Sequence, residues 1–188
     1  YLIIGPATNF AEMVRTDKDT LKESINTVYM MGGKLGGLWD ELPGPDFNIA
    51  ADPEAVNIIL DAGFEIHFIP MNVTWQVRLP VGDLPQLEAG SKLGMMSKDI
   101  MIAHSSQFSS DTHFRFHDPV AMMTMGFEQS FRPVNAKVSG PGENDYGRLQ
   151  IKENGEPNAA YLELAKEEID DLLQDILKSF SIIRQAKT

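Results

Sequence analysis

The chain has 188 residues, 43% of them hydrophobic and 23% charged, and its 27 Asp and Glu against 16 Lys and Arg leave a formal charge of −11. Length and balance are those of one ordinary globular domain able to bury a substantial core. The negative charge disfavours a nucleic-acid surface, which needs a basic stripe to meet phosphates, and disfavours anchoring on anionic membranes.

There is no cysteine, which excludes disulfides, zinc–thiolate centres and a cysteine nucleophile. A cysteine-free chain can live in any compartment, so location stays open, with the cytoplasm as the default expectation. No apolar run approaches the length of a membrane span, and no stretch reads as a secretory signal. The chain opens directly on an apolar run, Tyr1-Leu2-Ile3-Ile4. The expectation is a fold incomplete at its N-terminus.

Residues 1–4 read as a buried strand closed by Gly5-Pro6. Short helices follow at 8–14 and 18–25, the second capped by Asp17, and a second buried strand at 27–31 ends in Gly32-Gly33. Residues 34–52 form a long loop, of the length that is usually functional or mobile. Asp52 can cap the helix that Pro53 opens, and Gly63 stops it after Ala62. Ala55, Val56, Ile58, Ile59 and Leu60 leave this helix little polar face, so it should be buried. A third strand covers 64–69.

Strand, helix, strand, helix, strand in this order predicts an α/β fold with a mostly parallel sheet flanked by helices. Right-handed crossovers then gather the carboxyl ends of the strands on one edge, where such sheets bind ligands. Further helices are expected at 83–89, 92–104 and 119–126, and half-buried strands at 132–138, 148–152 and 159–164. The last helix, 166–183, carries Ile169, Leu172, Leu173, Ile176, Leu177 and Phe180 on one face. One domain over 1–188 accounts for all of these elements.

Two constellations could carry chemistry. The long loop holds Asp40, Glu41, Asp46 and Asn48 between a strand end and a helix start; such groups can bind sugar hydroxyls, or simply form turns. His117-Asp118-Pro119 is the second. Asp118 reads either as the cap of the following helix or as a metal-binding carboxylate beside a histidine acid. His67 reads as a sheet-face residue, and His104 and His113 as surface residues, with His113 near enough to share a pocket with His117. Met95, Met96, Met101, Met122, Met123 and Met125 read as core filler, and Trp39 and Trp75 as half-buried packing. Neither a dinucleotide loop nor a phosphate loop is present.

Taken together, several motifs resemble one family. Gly5-Pro6-Ala7-Thr8-Asn9, Met31-Gly32-Gly33, Asp46-Phe47-Asn48-Ile49 with Asp52-Pro53-Glu54-Ala55, Asn72-Val73-Thr74 and His117-Asp118-Pro119 stand in the order found in inosine–uridine-type nucleoside hydrolases. The resemblance spans nearly the whole chain. It implies a nucleoside-hydrolase-like fold and a Ca²⁺-dependent N-ribohydrolase that splits a nucleoside into ribose and free base. By the same resemblance His117 is the leaving-group acid or base-pocket residue, Asp118 a calcium ligand, and the carbonyl of Ile4 the backbone calcium ligand. Asn48 and Asp46 match ribose-hydroxyl ligands, Asp40 falls where the family has a ribose-touching Asn, and Met31 and Phe47 match apolar pocket walls.

Three departures accompany the resemblance. The family's Asp-rich opening segment, which supplies most calcium carboxylates and the base that activates water, does not occur in this sequence. Asp46 stands for a Glu, one methylene shorter, and Asp40 for an Asn, which loses a donor. The expectation is therefore the C-terminal portion of such a hydrolase, active only together with an N-terminal portion. The alternative is a non-catalytic relative that binds a riboside or a partner. Expected partners are a small-molecule nucleoside and either further copies of the chain or its own N-terminal portion.

Overall fold

The computed structural model describes residues 1–36, 38, 42, 44–86, 92–107, 112–143, 145–152 and 155–182. Asp40, with Trp39 and Glu41, lies outside the described residues, as do the end of the helix expected at 83–89 and the last residue of that expected at 166–183.

The first strand, β1 (Leu2–Ile3), leads into α1 (Thr8–Ser24). The two expected short helices are one element bent at Asp17, whose φ of −156° and ψ of 77° leave the helical region. The Asp17 carboxylate accepts from Thr20 N at 3.1 Å and so starts the second half, the capping role its position suggested. Strand β2 (Val28–Met31) follows, then α2 (Phe47–Ala50), α3 (Pro53–Asp61) and β3 (Ile66–Ile69). Asp52 caps α3 through Ala55 N at 3.0 Å, with Pro53 at the first helical position, as expected.

One helical turn, α4 (Met71–Thr74), continues β3 directly. Strand β4 (Arg78–Pro80) runs into a 3₁₀ segment, Val81–Gln86, and α5 (Lys92–Gln107) precedes β5 (His113–Arg115). Helix α6 (His117–Met123) starts two residues earlier than expected and passes into a 3₁₀ turn, Thr124–Gly126. A second 3₁₀ turn, Glu128–Ser130, strands β6 (Phe131–Val138), β7 (Leu149–Lys152) and β8 (Ala159–Leu162) and helix α7 (Lys166–Ile182) complete the described elements.

Six strands form one sheet in the order β1-β2-β3-β8-β6-β7. The pairings β1–β2, β2–β3 and β3–β8 are parallel, and β8–β6 and β6–β7 antiparallel. Strands β4 and β5 pair separately, antiparallel, with Leu79 opposite Phe114. The fold is thus the expected α/β sheet, mostly parallel, with an antiparallel flank.

Alternation across the sheet explains the unbroken apolar runs. Val28, Met30, Ile66 and Phe68 face one layer with Phe10, Val56 and Ile59 of α1 and α3. Tyr29, Met31 and Ile69 face the other, with Val120 of α6 and Ile169, Leu172 and Ile176 of α7. A parallel sheet covered on both faces needs apolar side chains at every position. His67 sits on the second face, its ring 4.5 Å from that of Phe131 and its Nε2 2.8 Å from Glu65, the sheet-face role expected of it.

The methionines divide. Met101 is buried, but Met95, Met96 and Met122 are at least half exposed, so reading them as core filler fails. Leu93, Met95, Met96 and Ile100 of α5 are exposed, whereas Gly94, Met101 and Ser105 are buried. Two asparagines complete the antiparallel flank by standing in for a strand. Asn57 of α3 bonds both main-chain polar atoms of Val138, at 2.8 and 3.0 Å, and Asn158 does the same to Ala136, at 2.7 and 3.0 Å.

Candidate functional site

The carboxyl ends of β1, β2 and β3 open on one cavity of about 400 Å³. Its wall includes Ile4 after β1, Met31 at the end of β2, Asp46, Phe47 and Asn48 at the start of α2, Met71 after β3, and His117 and Asp118 at the start of α6. The described residues Ile4, Met31, Asp46, Phe47, Asn48, His117 and Asp118, all nominated from the sequence, therefore line this one cavity; Asp40 and Glu41 fall outside the described residues. The location is the strand-end edge at which open α/β sheets hold ligands.

The end of β2 is shaped by two glycines. A Cβ on Gly32 would lie 3.1 Å from Asp46 Oδ1, and Gly33 has a φ of +95° with a would-be Cβ 2.7 Å from Leu149 Cδ2. Only glycine lets the chain turn there while the loop closes over it. Beyond it Lys34 is buried, and its Nζ donates to the carbonyls of Leu42 at 2.9 Å and Gly44 at 2.7 Å. Burial holds the Lys34 ammonium below its usual pKa, partly offset by the charge of Asp46.

Within the long loop Asp46 does what a turn-forming aspartate does. Its Oδ1 accepts from Ile49 N at 3.1 Å and caps α2. The carboxyl is buried, and burial raises its pKa even though the N–H groups of Ile49, Gly33 and Asn48 and the charge of Lys34 pull the other way. Asn48 donates from Nδ2 to Met31 O at 3.0 Å, which ties α2 to the end of β2. Phe47 is 78% exposed and stands at the rim of the cavity.

His117 occupies the first position of α6. Its Nδ1 lies 2.7 Å from the hydroxyl of Thr74, which is fully buried in α4. Its ring centre is 6.1 Å from that of Trp75, over which Arg115 lays its guanidinium at 3.6 Å. Burial, with the Arg115 charge second, lowers the His117 pKa to about 4, so the ring is neutral at physiological pH. Asp118 lies inside the first turn of α6 rather than before it, and the residue ahead of the helix, Phe116, makes no side-chain cap. The capping explanation of Asp118 is thereby removed. Partial burial raises its pKa.

His117 is also the wall shared with a second cavity, of about 330 Å³, lined by Trp75, Ile100, His104, Ser105, His113, Phe114 and Arg115. His113 does share a pocket with His117, and His104 joins them. Sequence reasoning named Asn72-Val73-Thr74 only as a motif and did not single out Thr74, Lys34, Met71 or Arg115 as site residues. For Thr74 that motif is the available signal; for Arg115 it is its place two residues before His117.

Calcium prefers about six to eight oxygen ligands. Around the cavity one carboxylate, Asp118, and the main chain of Ile4 are candidates, while Asp46 already spends an oxygen on its own helix. Among the described residues no three His, Asp or Glu side chains cluster so as to hold a metal. These residues do not by themselves make a calcium site.

The family model described as "Inosine-uridine preferring nucleoside hydrolase" matches residues 1–171. Uridine nucleosidase 1 of Arabidopsis thaliana is 30% identical over 132 residues, 66% of this chain and 38% of that protein. Non-specific ribonucleoside hydrolase RihC of Escherichia fergusonii is 30% identical over 81% of this chain and 50% of its own length. The chain thus spans half or less of these curated relatives. Among solved structures, the purine-preferring ribonucleoside hydrolase from Gardnerella vaginalis superimposes with a TM-score of 0.76 at 20% identity. That match covers 97% of this chain and 61% of the other; at such identity it speaks for the fold alone.

Proposed function

The chain belongs to the inosine–uridine preferring nucleoside hydrolase family, and from that premise we propose that it forms the ribose- and base-facing part of a ribonucleoside N-ribohydrolase site. The observation that carries this reading is the single cavity at the strand ends that collects Ile4, Met31, Asp46, Phe47, Asn48, His117 and Asp118 from separate elements. The substrate is a small nucleoside. Water adds to the anomeric carbon, the bond from that carbon to the base nitrogen breaks, and the base leaves with a proton.

In this reading Asn48 and Asp46 meet the ribose hydroxyls, Met31 and Phe47 wall the nucleoside, and His117 faces the departing base. A neutral imidazole can hydrogen-bond to a base as negative charge grows on it, which lowers the barrier to departure. Asp40 belongs to the ribose contacts by position in the sequence. In a complete enzyme Asp118 and the Ile4 carbonyl would be two of the oxygens that hold a Ca²⁺ ion. That count is what calls for further carboxylates, in an acidic N-terminal segment that also brings the water-activating base.

The test is release of ribose from inosine and uridine by the intact gene product, with and without a calcium chelator. Ribose release that the chelator abolishes supports the reading, and release indifferent to it sinks the calcium part. A second reading, a riboside-binding module without turnover, has one observation in its favour: the Asp46 carboxyl is buried and engaged as a helix cap. Saturable riboside binding with no ribose released would favour it.

A further inference from the structure

We propose that Thr74 is the positioning residue of His117: its hydroxyl donates to Nδ1 and keeps the ring proton on Nε2, the nitrogen left for a nucleobase. The proposal deepens the reading of His117 as the base-facing group and rests on it for its functional meaning. Its structural basis is independent. Thr74 Oγ1 and His117 Nδ1 are 2.7 Å apart, and Thr74 is fully buried between β3 and α6.

The direction of that hydrogen bond follows from where the hydroxyl proton can go. A helical threonine ordinarily gives its proton to the carbonyl four residues back. Thr124 does so to Val120 O at 2.9 Å, and Thr16 to Glu12 O at 2.7 Å. Thr74 departs from this pattern. Among the described residues its hydroxyl has one partner, His117 Nδ1, while its own main-chain N–H donates to Pro70 O at 3.2 Å.

A buried O–H with no acceptor is costly, whereas an unused lone pair on the same oxygen costs less. If Nδ1 carried the proton, the Thr74 hydroxyl would accept it and its own hydrogen would be stranded. The arrangement with every proton placed is O–H donating to Nδ1. The neutral ring then has its N–H on Nε2, and it meets a ligand as a donor. A ring nitrogen or carbonyl of a departing base is an acceptor, so this tautomer suits the task and the other opposes it with a lone pair.

The tautomer can be read directly on the 188-residue chain labelled with nitrogen-15, from long-range proton–nitrogen correlations at neutral pH. His117 is identified by the signals that vanish in His117→Gln. The expected spectrum has a protonated Nε2 and an unprotonated Nδ1 in a single tautomer. Thr74→Val should drive both nitrogens toward the averaged shifts of a mixture, and Thr74→Ser should restore the wild-type pattern. A proton on Nδ1 in the wild type overturns the proposal, as does a Thr74→Val spectrum that matches the wild type. Should Thr74→Val fail to fold, the wild-type and Thr74→Ser spectra still decide.

In the intact gene product Thr74→Val should lower kcat for inosine by about tenfold with KM little changed, and Thr74→Ser should recover it. The spectra need no turnover. Absence of hydrolysis with the Nε2–H tautomer present overturns the hydrolase reading and the catalytic meaning of Thr74. The wrong tautomer in an active enzyme overturns the positioning proposal alone.

Discussion

The carboxamide of Asn72 grips both main-chain polar atoms of Leu35: Oδ1 accepts from Leu35 N at 2.8 Å and Nδ2 donates to Leu35 O at 2.9 Å. The pair fastens the entry of the long loop to the turn after β3, on the side of the sheet where the cavity opens. Asn72→Ala would strip both partners at once and should cost about 1–3 kcal/mol. Urea unfolding gives the cost, and hydrogen exchange of the Leu35 amide gives its location. Unaltered protection of that amide would show the loop is held by something else.

His117 predicts a pH dependence of stability. In the unfolded chain it titrates near its ordinary 6.5 and in the fold at about 4. Between those values the unfolded state binds more protons, so stability rises with pH across the window. The full contribution, roughly 3 kcal/mol, is present above the ordinary value and lost as pH falls through the folded one. Replacing His117 with Gln should flatten the unfolding free energy over that range. A slope equal to the wild type's would mean the ring titrates alike in both states.

Asp46 gives the opposite sign. Burial raises its folded pKa, so the fold holds this proton more tightly than the unfolded chain does. The group therefore weakens the fold as pH rises from its ordinary value through the raised one. Asp46→Asn keeps a cap for α2 and removes that loss, so at neutral pH it should be as stable as the wild type or more so. Asp46→Ala loses the cap and should cost about 1–2 kcal/mol. Midpoints of denaturant unfolding for the two variants separate these effects; equal midpoints would deny Asp46 its capping role.

For the proposed chemistry, Asp118→Ala in the intact gene product should abolish chelator-sensitive ribose release, because a carboxylate ligand cannot be replaced by a methyl group. His117→Ala should slow poor leaving groups by about a hundredfold or more and activated ones far less. Steady-state assays on inosine and on a nitrophenyl riboside make the comparison. Undiminished activity in Asp118→Ala would remove that side chain from the metal shell.

Local signals carried most of the architecture. Gly5-Pro6, Gly32-Gly33 and Asp52-Pro53 punctuate the chain, and their cap and turn chemistry acts over three or four residues, within reach of a linear reading. What stayed hidden depends on contacts between distant residues. The β4–β5 pair rests on Leu79 meeting Phe114, and α4 is a single turn without a cap of its own. The merged α1 shows the limit from the other side: Asp17 is legible as a cap, yet it makes a kink rather than a break.

The site was legible as a set of motifs but not as an arrangement. His117-Asp118-Pro119 looked like a helix start at Pro119, and the earlier start is what puts His117 against Thr74. The sequence allows Asp46 as a ribose ligand or as a turn former; its bond to Ile49 N bears out the local role. Nothing linear joins Thr74 to His117, since their meeting is a property of the packed fold.

The strand order has a consequence for how the molecule comes into being. Strand β8 lies between β3 and β6, yet it is the last of the described sheet strands to leave a ribosome. The unit β1–β2–β3 can pair as soon as it emerges, but β3 keeps one bare edge until β8 arrives and β6 and β7 join through it. Every residue of the cavity is synthesised before that moment. During synthesis the cavity floor would exist on a half-built sheet with an open edge, the stage at which such a chain is most exposed to sticking to its neighbours.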